Sequence, residues 1–189
     1  MTPTARLADV MLVDCLIEDA RWENAGFEGL AETAAVAVLA HLGMAADEFL
    51  VSVLACDDAK IAALNGDFRG KSTPTNVLSW PSEERGSGTE GVAPEIPVPG
   101  LETPCELGDI AISFDTCQHE ANAANKPFKQ HVLHLMVHGT LHLLGYDHIS
   151  DKDAALMEGI ETEVLAALGV PDPYADHEVL SLGKLEQDR

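Results

Sequence analysis

Apolar residues occur along this chain in short blocks with two kinds of spacing. Blocks rich in valine, isoleucine and leucine predict β-strands, and blocks with apolar residues three or four positions apart predict helices. The predicted strands are residues 7–16, 49–56, 75–80 and 107–114, and the predicted helices are residues 27–42, 59–65, 116–125, 129–144 and 151–168. This order predicts an α/β (α+β) fold, with a single layer of helices packed on a mixed, mostly four-stranded β-sheet.

Local signals mark the ends of several predicted helices. Asp57 or Asp58 is suited to cap residues 59–65, a short helix that leads to Gly66, and Asp115 is suited to cap residues 116–125. Gly145 follows residues 129–144 and permits the left-handed conformation in which many helices end.

Residues 82–105 interrupt this pattern, because prolines and glycines accumulate there and apolar periodicity vanishes. Such a segment predicts a surface loop or a disordered insertion, since it buries too little apolar surface to offset its chain entropy. We therefore expect one domain over residues 1–175, with residues 82–105 as a loop insertion and residues 176–189 as a polar C-terminal tail.

Composition places the chain among water-soluble globular proteins. It has 189 residues, of which 46% are hydrophobic and 23% charged, and its mean hydropathy is +0.03. No run approaches the roughly 20 apolar residues that a membrane-spanning helix requires. The first residues also lack a basic segment followed by an apolar one, so no secretory signal is predicted. We expect a cytoplasmic protein that does not associate with membranes.

Charge argues against a large nucleic-acid interface. Lysine and arginine total 11 against 32 acidic residues, a formal net charge of −21. Such a surface repels polyanions at long range. The four cysteines lie far apart without a C-x-x-C pair, which excludes a zinc ribbon or a dithiol redox motif.

Five of the eight histidines fall within one predicted helix and the turn after it. His138 and His142 are four residues apart, about 6 Å along a helix, so both imidazoles would point at one ion. The bend at Gly145 would bring in His148 as a third ligand. Three imidazoles leave one position of a tetrahedral ion open, which is typical of catalytic zinc sites. The alternative is an ordinary histidine pair in the core or on the surface.

His131 and His134 face roughly the same way as this pair. His131 lies about 16 Å from His142 along the helix, so the five rings cannot share one ion. We expect packing or hydrogen-bonding roles for these two, with His134 nearer the site. The spacing also approaches the H-E-x-x-H pattern of metallopeptidases, but Gly139 stands where their catalytic glutamate would be.

Residues 138–148, HGTLHLLGYDH, resemble the signature of the bacterial YbeY proteins, which are metal-dependent endoribonucleases and rRNA maturation factors. The resemblance extends to NGDFRGK with PTNVLSWP, to LGDI and to the segment that begins with Met157, and it covers about residues 6–175. Departures are Ser72 where an acidic residue is usual, Trp80 in place of phenylalanine, and the long 82–105 segment.

The resemblance implies that His138, His142 and His148 bind one zinc ion and that Arg69 is a functionally important residue in the cleft. It also implies a single-strand-specific endoribonuclease that matures the 3′ end of small-subunit rRNA and takes part in ribosome quality control. The implied partners are the small ribosomal subunit, a ribosomal protein and the GTPase Era.

Arg69, Lys71, Lys126 and Lys129 are four of only eleven basic residues, and they flank the segments just described. We expect a small positive cleft in which the Arg69 guanidinium binds a phosphate. For the lysines, a solvated loop is the alternative. Asp147 would orient a ligand imidazole, accept a proton or simply form a turn.

Two other functions compete with the ribonuclease hypothesis. One is a metallohydrolase of another substrate class such as a peptidase, and the other is a noncatalytic ribosome assembly factor with a structural metal. The residues also leave open whether water or the RNA 2′-hydroxyl attacks, because no general acid is evident.

Overall fold

A computed structural model describes residues 12–100 and 104–175. The strands are β1 Val13–Ile17, β2 Phe49–Cys56, β3 Val77–Pro81 and β4 Cys105–Ser113. The helices are α1 Arg21–Ala25, α2 Phe27–His41, α3 Asp58–Arg69, α4 Phe114–Ala123, α5 Phe128–Leu143 and α6 Asp151–Ala167, and a 3₁₀ turn, Ala46–Glu48, precedes β2.

The strands form one mixed sheet in the order β1-β2-β4-β3. β1 and β4 both run parallel to β2, whereas β3 runs antiparallel to β4 and forms one edge. Every residue of β2 is buried or half-buried, and residues 110–113 of β4 are all buried, as expected for strands covered on both sides. The predicted mixed four-stranded sheet is therefore confirmed.

Helices cover both faces of this sheet, which differs in one detail from the predicted single layer. The larger apolar cluster joins the sheet to α2, α5 and α6. A smaller cluster on the other face joins Leu78 and Ala111 to Ile61 of α3. Met136, Val137 and other apolar residues of α5 are buried within the larger cluster. This burial fixes the rotation of α5 and hence the direction of its histidines.

Helix boundaries differ from the prediction at two places. α3 continues through Gly66 and ends at Arg69, and the following Gly70 has a left-handed φ of 69°. A Cβ on Gly66 would lie 2.8 Å from Ser72 Oγ, so glycine lets the following chain pack against this helix. The expected stop at Gly66 was wrong, and Arg69 lies in the last helical turn. α1 was not predicted because it has only five residues.

Capping was predicted correctly at Asp57, whose side chain accepts the Lys60 backbone N–H at 2.9 Å. Asp115 is not a cap, because α4 already begins at Phe114. Its carboxylate binds the Arg21 guanidinium instead, at 2.6 Å.

Residues 82–100 run beside the end of α5 without regular structure, and β4 begins at Cys105. Residues 101–103, the first part of the predicted strand 7–16 and the predicted tail 176–189 lie outside the described residues. Within the described ranges, no helix has the length and apolarity needed to cross a membrane.

Candidate metal centre

Three imidazoles meet where α5 ends. His138 and His142 lie one turn apart, and their Nε2 atoms are 3.0 Å from each other. His148 joins them from the following turn, and one ring nitrogen from each residue lies within 4.8 Å of the others. Residues with this donor chemistry and proximity would hold a metal ion.

The turn that delivers His148 is a helix C-terminus of the Schellman type. The Gly145 N–H donates to His142 O at 3.0 Å, and the Tyr146 N–H donates to Leu141 O at 3.1 Å. The φ of Gly145 is 91°, and the sequence predicted a left-handed conformation at this position. Asp147 Oδ1 then accepts the backbone N–H of His148 at 2.7 Å. Asp147 therefore stabilises the turn, which was one of its expected roles.

Hydrogen bonds on the far side of two rings determine which nitrogens face the cluster. Nδ1 of His142 lies 2.9 Å from Tyr146 O, a carbonyl that only accepts, so this nitrogen carries hydrogen. Burial, together with repulsion from His138 and His148, lowers the pKa of His142 to about 4. Its Nε2 lone pair therefore points at His138 at neutral pH. A cation between these nitrogens would satisfy the lone pair, so the donor set fits a metal ion.

His138 has a different partner on its far side. Its Nδ1 lies 2.6 Å from Oε1 of Glu161, a carboxylate on α6 with only 1% side-chain exposure. Burial would raise the pKa of Glu161, but the imidazoles of His134 and His138 outweigh that effect and lower it to about 2. The hydroxyl of Tyr174 donates to the other oxygen, Oε2. An ionised carboxylate thus lies behind one ring of the cluster.

The cluster lies in the wall of a cleft of about 820 Å³. The edge strand β3 contributes Val77 and Ser79, and the start of α6 contributes Asp153. Residues of the 82–100 segment form a further part of the wall, and Arg69 reaches it from α3. The cleft is large enough to admit several units of a polymer chain, and the three histidines are accessible from it.

Comparison with known proteins shows the family of this chain. A family profile described as Endoribonuclease YbeY matches residues 14–169. A relative named Endoribonuclease YbeY from Cereibacter sphaeroides is 59% identical over 164 residues, covering 86% of this chain and 98% of the relative. One of the same name from Dinoroseobacter shibae is 53% identical over 176 residues, covering 92% of this chain and 97% of the relative. This chain belongs to the YbeY family.

A solved structure shares the fold. The solution structure of TM1509 from Thermotoga maritima covers 82% of this chain and 91% of its own, with a TM-score of 0.50. The two sequences are 24% identical, so this likeness concerns the fold alone. It shows that the fold of this chain also occurs in a solved structure.

The basic residues of this YbeY chain are arranged differently from the prediction. Arg69 lines the cleft, whereas Lys71, Lys126 and Lys129 do not belong to the wall formed by the described residues. The Lys126 Nζ instead donates to Pro173 O at 3.4 Å. An RNA contact by these lysines stays a prediction, because they lie outside the part of the cleft wall that the described residues form. The second cation of the described wall is Arg85, which the sequence reasoning missed.

Arg85 supports the turn instead of facing a substrate. Its side chain is only 6% exposed, and Nη1 donates to Leu143 O at 3.0 Å. No periodic signal in the 82–105 segment could have found this contact. Acidic residues accompany the two arginines in the cleft wall, namely Glu84, Glu90, Asp147 and Asp153.

The structure places the other two histidines of α5 outside the three-histidine cluster. His131 Nε2 lies 2.8 Å from Glu120 Oε2, which is a hydrogen-bonding role away from the cluster. His134 lies nearer, with its Nε2 3.6 Å from Glu161 Oε2. Glu161 itself was missed, although one signal was present: it shares a face of α6 with the buried residues Met157, Val164 and Leu165. A carboxylate on such a face indicates a buried polar partner.

Proposed function

We propose that this chain is a metal-dependent endoribonuclease, a hydrolase of RNA phosphodiester bonds that acts in rRNA processing. In this proposal His138, His142 and His148 hold one zinc ion per chain, and these residues with Arg69 form the catalytic site. The observation that carries the proposal is the gathering of three imidazole nitrogens within 4.8 Å of one another beside an open cleft. Membership of the YbeY family supports RNA as the substrate.

The chain's own residues prepare the site. The Nδ1 contacts with Glu161 and with Tyr146 O turn the Nε2 atoms of His138 and His142 toward one point. Zinc bound there would lower the pKa of a coordinated water to about 7 and polarise a phosphoryl oxygen. Arg69 is exposed on the cleft wall, where its planar guanidinium suits two oxygens of one phosphate. It would position the RNA backbone against the histidines.

The charge of the molecule supports a substrate presented by a larger assembly. With a net charge of −21 the chain repels free RNA at long range, and the described cleft wall offers few cations to offset this. By resemblance to the YbeY family we propose single-stranded rRNA within the small ribosomal subunit as the substrate, at its 3′ end, with a ribosomal protein and the GTPase Era as partners in the cytoplasm. A role in ribosome quality control belongs to the same proposal.

The test uses single-stranded RNA, a duplex of the same sequence and a peptide panel. We expect the zinc-loaded protein to cut single-stranded RNA, to lose this activity on chelation and to recover it with added zinc. Arg69→Ala should retain folding and zinc content but lose about 100-fold or more in cleavage, because the phosphate loses a charge-assisted contact. Lys60→Ala is the matched control, since it removes one cation from the same helix, where Lys60 pairs with Glu18.

Two results would contradict the proposal. Cleavage that persists after complete removal of metal would exclude the metal-dependent reaction. Normal rRNA processing in cells that carry Arg69→Ala, together with a large loss of thermal stability in His138→Ala, would favour the noncatalytic assembly factor. Cutting of peptides alone would favour the peptidase.

A further inference from the structure

Glu161 is a buried carboxylate directly behind the three-histidine cluster. Within residues 12–100 and 104–175, it is the one charged residue with only 1% of its surface exposed. Burial of an ionised carboxylate costs several kcal/mol unless charged or hydrogen-bonding partners offset it. Its position on α6 therefore requires specific partners, and those partners show what it does.

The two carboxylate oxygens have different partners. Oε1 lies 2.6 Å from Nδ1 of His138. Oε2 accepts a hydrogen bond from the hydroxyl of Tyr174 and lies 3.6 Å from Nε2 of His134. The carboxylate is thus held from two directions, with one oxygen committed to a histidine of the cluster.

We propose that Glu161 is a positioning residue for the metal centre and that Tyr174 holds it in place. The inference rests on the proposed function in one respect, namely that the three histidines bind a metal. A carboxylate on the far nitrogen of a ligand histidine fixes its tautomer and its ring orientation and makes the ring a stronger donor. His142 has only a neutral carbonyl in the equivalent place, so the negative charge acts through His138.

Tyr174 belongs to the segment after α6, which is tied down near this carboxylate. Tyr174 N–H donates to Asp172 Oδ1 at 2.9 Å, and Thr162 Oγ1 donates to the same oxygen at 3.3 Å. The Lys126 Nζ holds Pro173 O from the loop before α5. These contacts place the tyrosine hydroxyl so that the carboxylate cannot rotate away from His138. Residues 172–174 therefore contribute to the metal site through Glu161.

Three variants distinguish a positioning role of Glu161 and Tyr174 at the metal centre from a role in packing alone. Glu161→Gln keeps the shape and an oxygen for His138 but removes the charge, and Tyr174→Phe removes only the hydroxyl. Glu163→Gln is the matched control, because it changes the same charge on the same helix at a side chain that is 72% exposed. Zinc affinity is measured by competition with a chromophoric chelator, and the ligand geometry by the visible spectrum of the Co²⁺-loaded protein. Melting of the metal-free proteins reports folding.

We expect Glu161→Gln to weaken zinc binding about 10- to 100-fold and to change the Co²⁺ spectrum. Tyr174→Phe should weaken zinc binding several-fold, and the double variant should be no weaker than Glu161→Gln alone, because the tyrosine acts through the carboxylate. Glu163→Gln should bind zinc within twofold of the original chain.

Unchanged zinc affinity and an unchanged Co²⁺ spectrum in Glu161→Gln or in Tyr174→Phe would overturn the inference and leave these residues a packing role. Should Glu161→Gln fail to fold, the half-buried Tyr174→Phe decides alone. The same measurement keeps the two proposals apart. Absence of zinc binding by the original chain overturns the proposed metal site, whereas zinc binding that Glu161→Gln leaves unaltered overturns only the positioning role.

Discussion

Gly139 follows the first histidine of the cluster and faces the sheet instead of the cleft. A Cβ at this position would lie 3.1 Å from Ile110 Cδ1 and 3.2 Å from Ser79 Oγ. α5 therefore packs on β3 and β4 at a distance that leaves no room for a long side chain. The glutamate of the H-E-x-x-H peptidases would not reach the metal from here.

Gly139→Glu tests this packing, because it creates the H-E-x-x-H sequence. We expect a loss of about 3–5 kcal/mol in the free energy of unfolding, since a charged side chain would be forced into the tight contact with Ile110 and Ser79. Denaturant unfolding measures the loss, and Gly159→Glu is the control because its Cβ would meet nothing within 4 Å. A stable Gly139→Glu protein that cleaves peptides would contradict this account.

Gly145 combines a left-handed backbone with a close contact. Besides its φ of +91°, a Cβ here would lie 2.7 Å from the backbone carbon of Arg85. The helix end that delivers His148 and the 82–100 segment are therefore packed against each other.

Gly145→Ala should lower the free energy of unfolding by about 2–4 kcal/mol, through the left-handed conformation and the collision with the loop together. Gly43→Ala is the control, because Gly43 has a φ of +73° but open space around it, and should cost about 1–2 kcal/mol. Thermal or denaturant unfolding compares the two. Equal losses would mean that the loop contact contributes nothing.

At the scale of elements, Glu120 of α4 connects three parts of the fold. Its carboxylate accepts a hydrogen bond at 3.0 Å from Nδ2 of Asn76, the residue before β3. It also lies 2.8 Å from Nε2 of His131 on α5. Hydrogen bonding from His131 lowers the pKa of Glu120 below its usual value, against the opposing effect of burial. The contact thus favours the ionised form.

A carboxyl group whose pKa is lower in the folded state stabilises the protein at pH values above its unfolded-state pKa of about 4.3. This stabilisation is lost as the pH falls through the folded-state pKa. Glu120→Gln should therefore lower the free energy of unfolding at pH 7, by less than about 1 kcal/mol because solvent reaches the carboxylate. The difference should disappear well below pH 4. Denaturant unfolding at both pH values measures it, and a difference that grows on acidification would contradict the assignment.

Local patterns predicted the parts of the fold and site that depend on neighbours in sequence. The spacing of His138 and His142 and the glycine after α5 are such features, and the structure confirms their proximity and the turn. The partners that depend on distant packing were missed. Glu161 is 23 residues from His138, and Arg85 reaches α5 from a segment without periodicity. The placement of Lys71, Lys126 and Lys129 outside the described cleft wall was missed for the same reason, since it depends on packing beyond each local segment.

At the scale of the whole molecule, the negative charge limits how RNA is bound. Arg69 is the exposed cation of the described cleft wall, because the Arg85 guanidinium is committed to backbone carbonyls. Few phosphates are therefore neutralised by side chains. This is why the proposed function includes another component that brings the RNA to the cleft.

The salt dependence of binding tests this point. For single-stranded RNA, the slope of log K against log salt is about −0.7 for each phosphate neutralised. We expect weak binding with a slope no steeper than about −1.5, measured by fluorescence anisotropy of a labelled oligonucleotide. Steeper dependence, near −3 or beyond, would reveal a cationic surface that the described residues do not provide.

Anomalous X-ray diffraction at the zinc edge tests the central claim most directly, on crystals of the zinc-loaded protein. The account predicts one zinc peak per chain, bound by His138, His142 and His148, with one coordination position of the ion facing the cleft. A peak at other residues, or a fourth protein side chain that closes the coordination sphere, would contradict it.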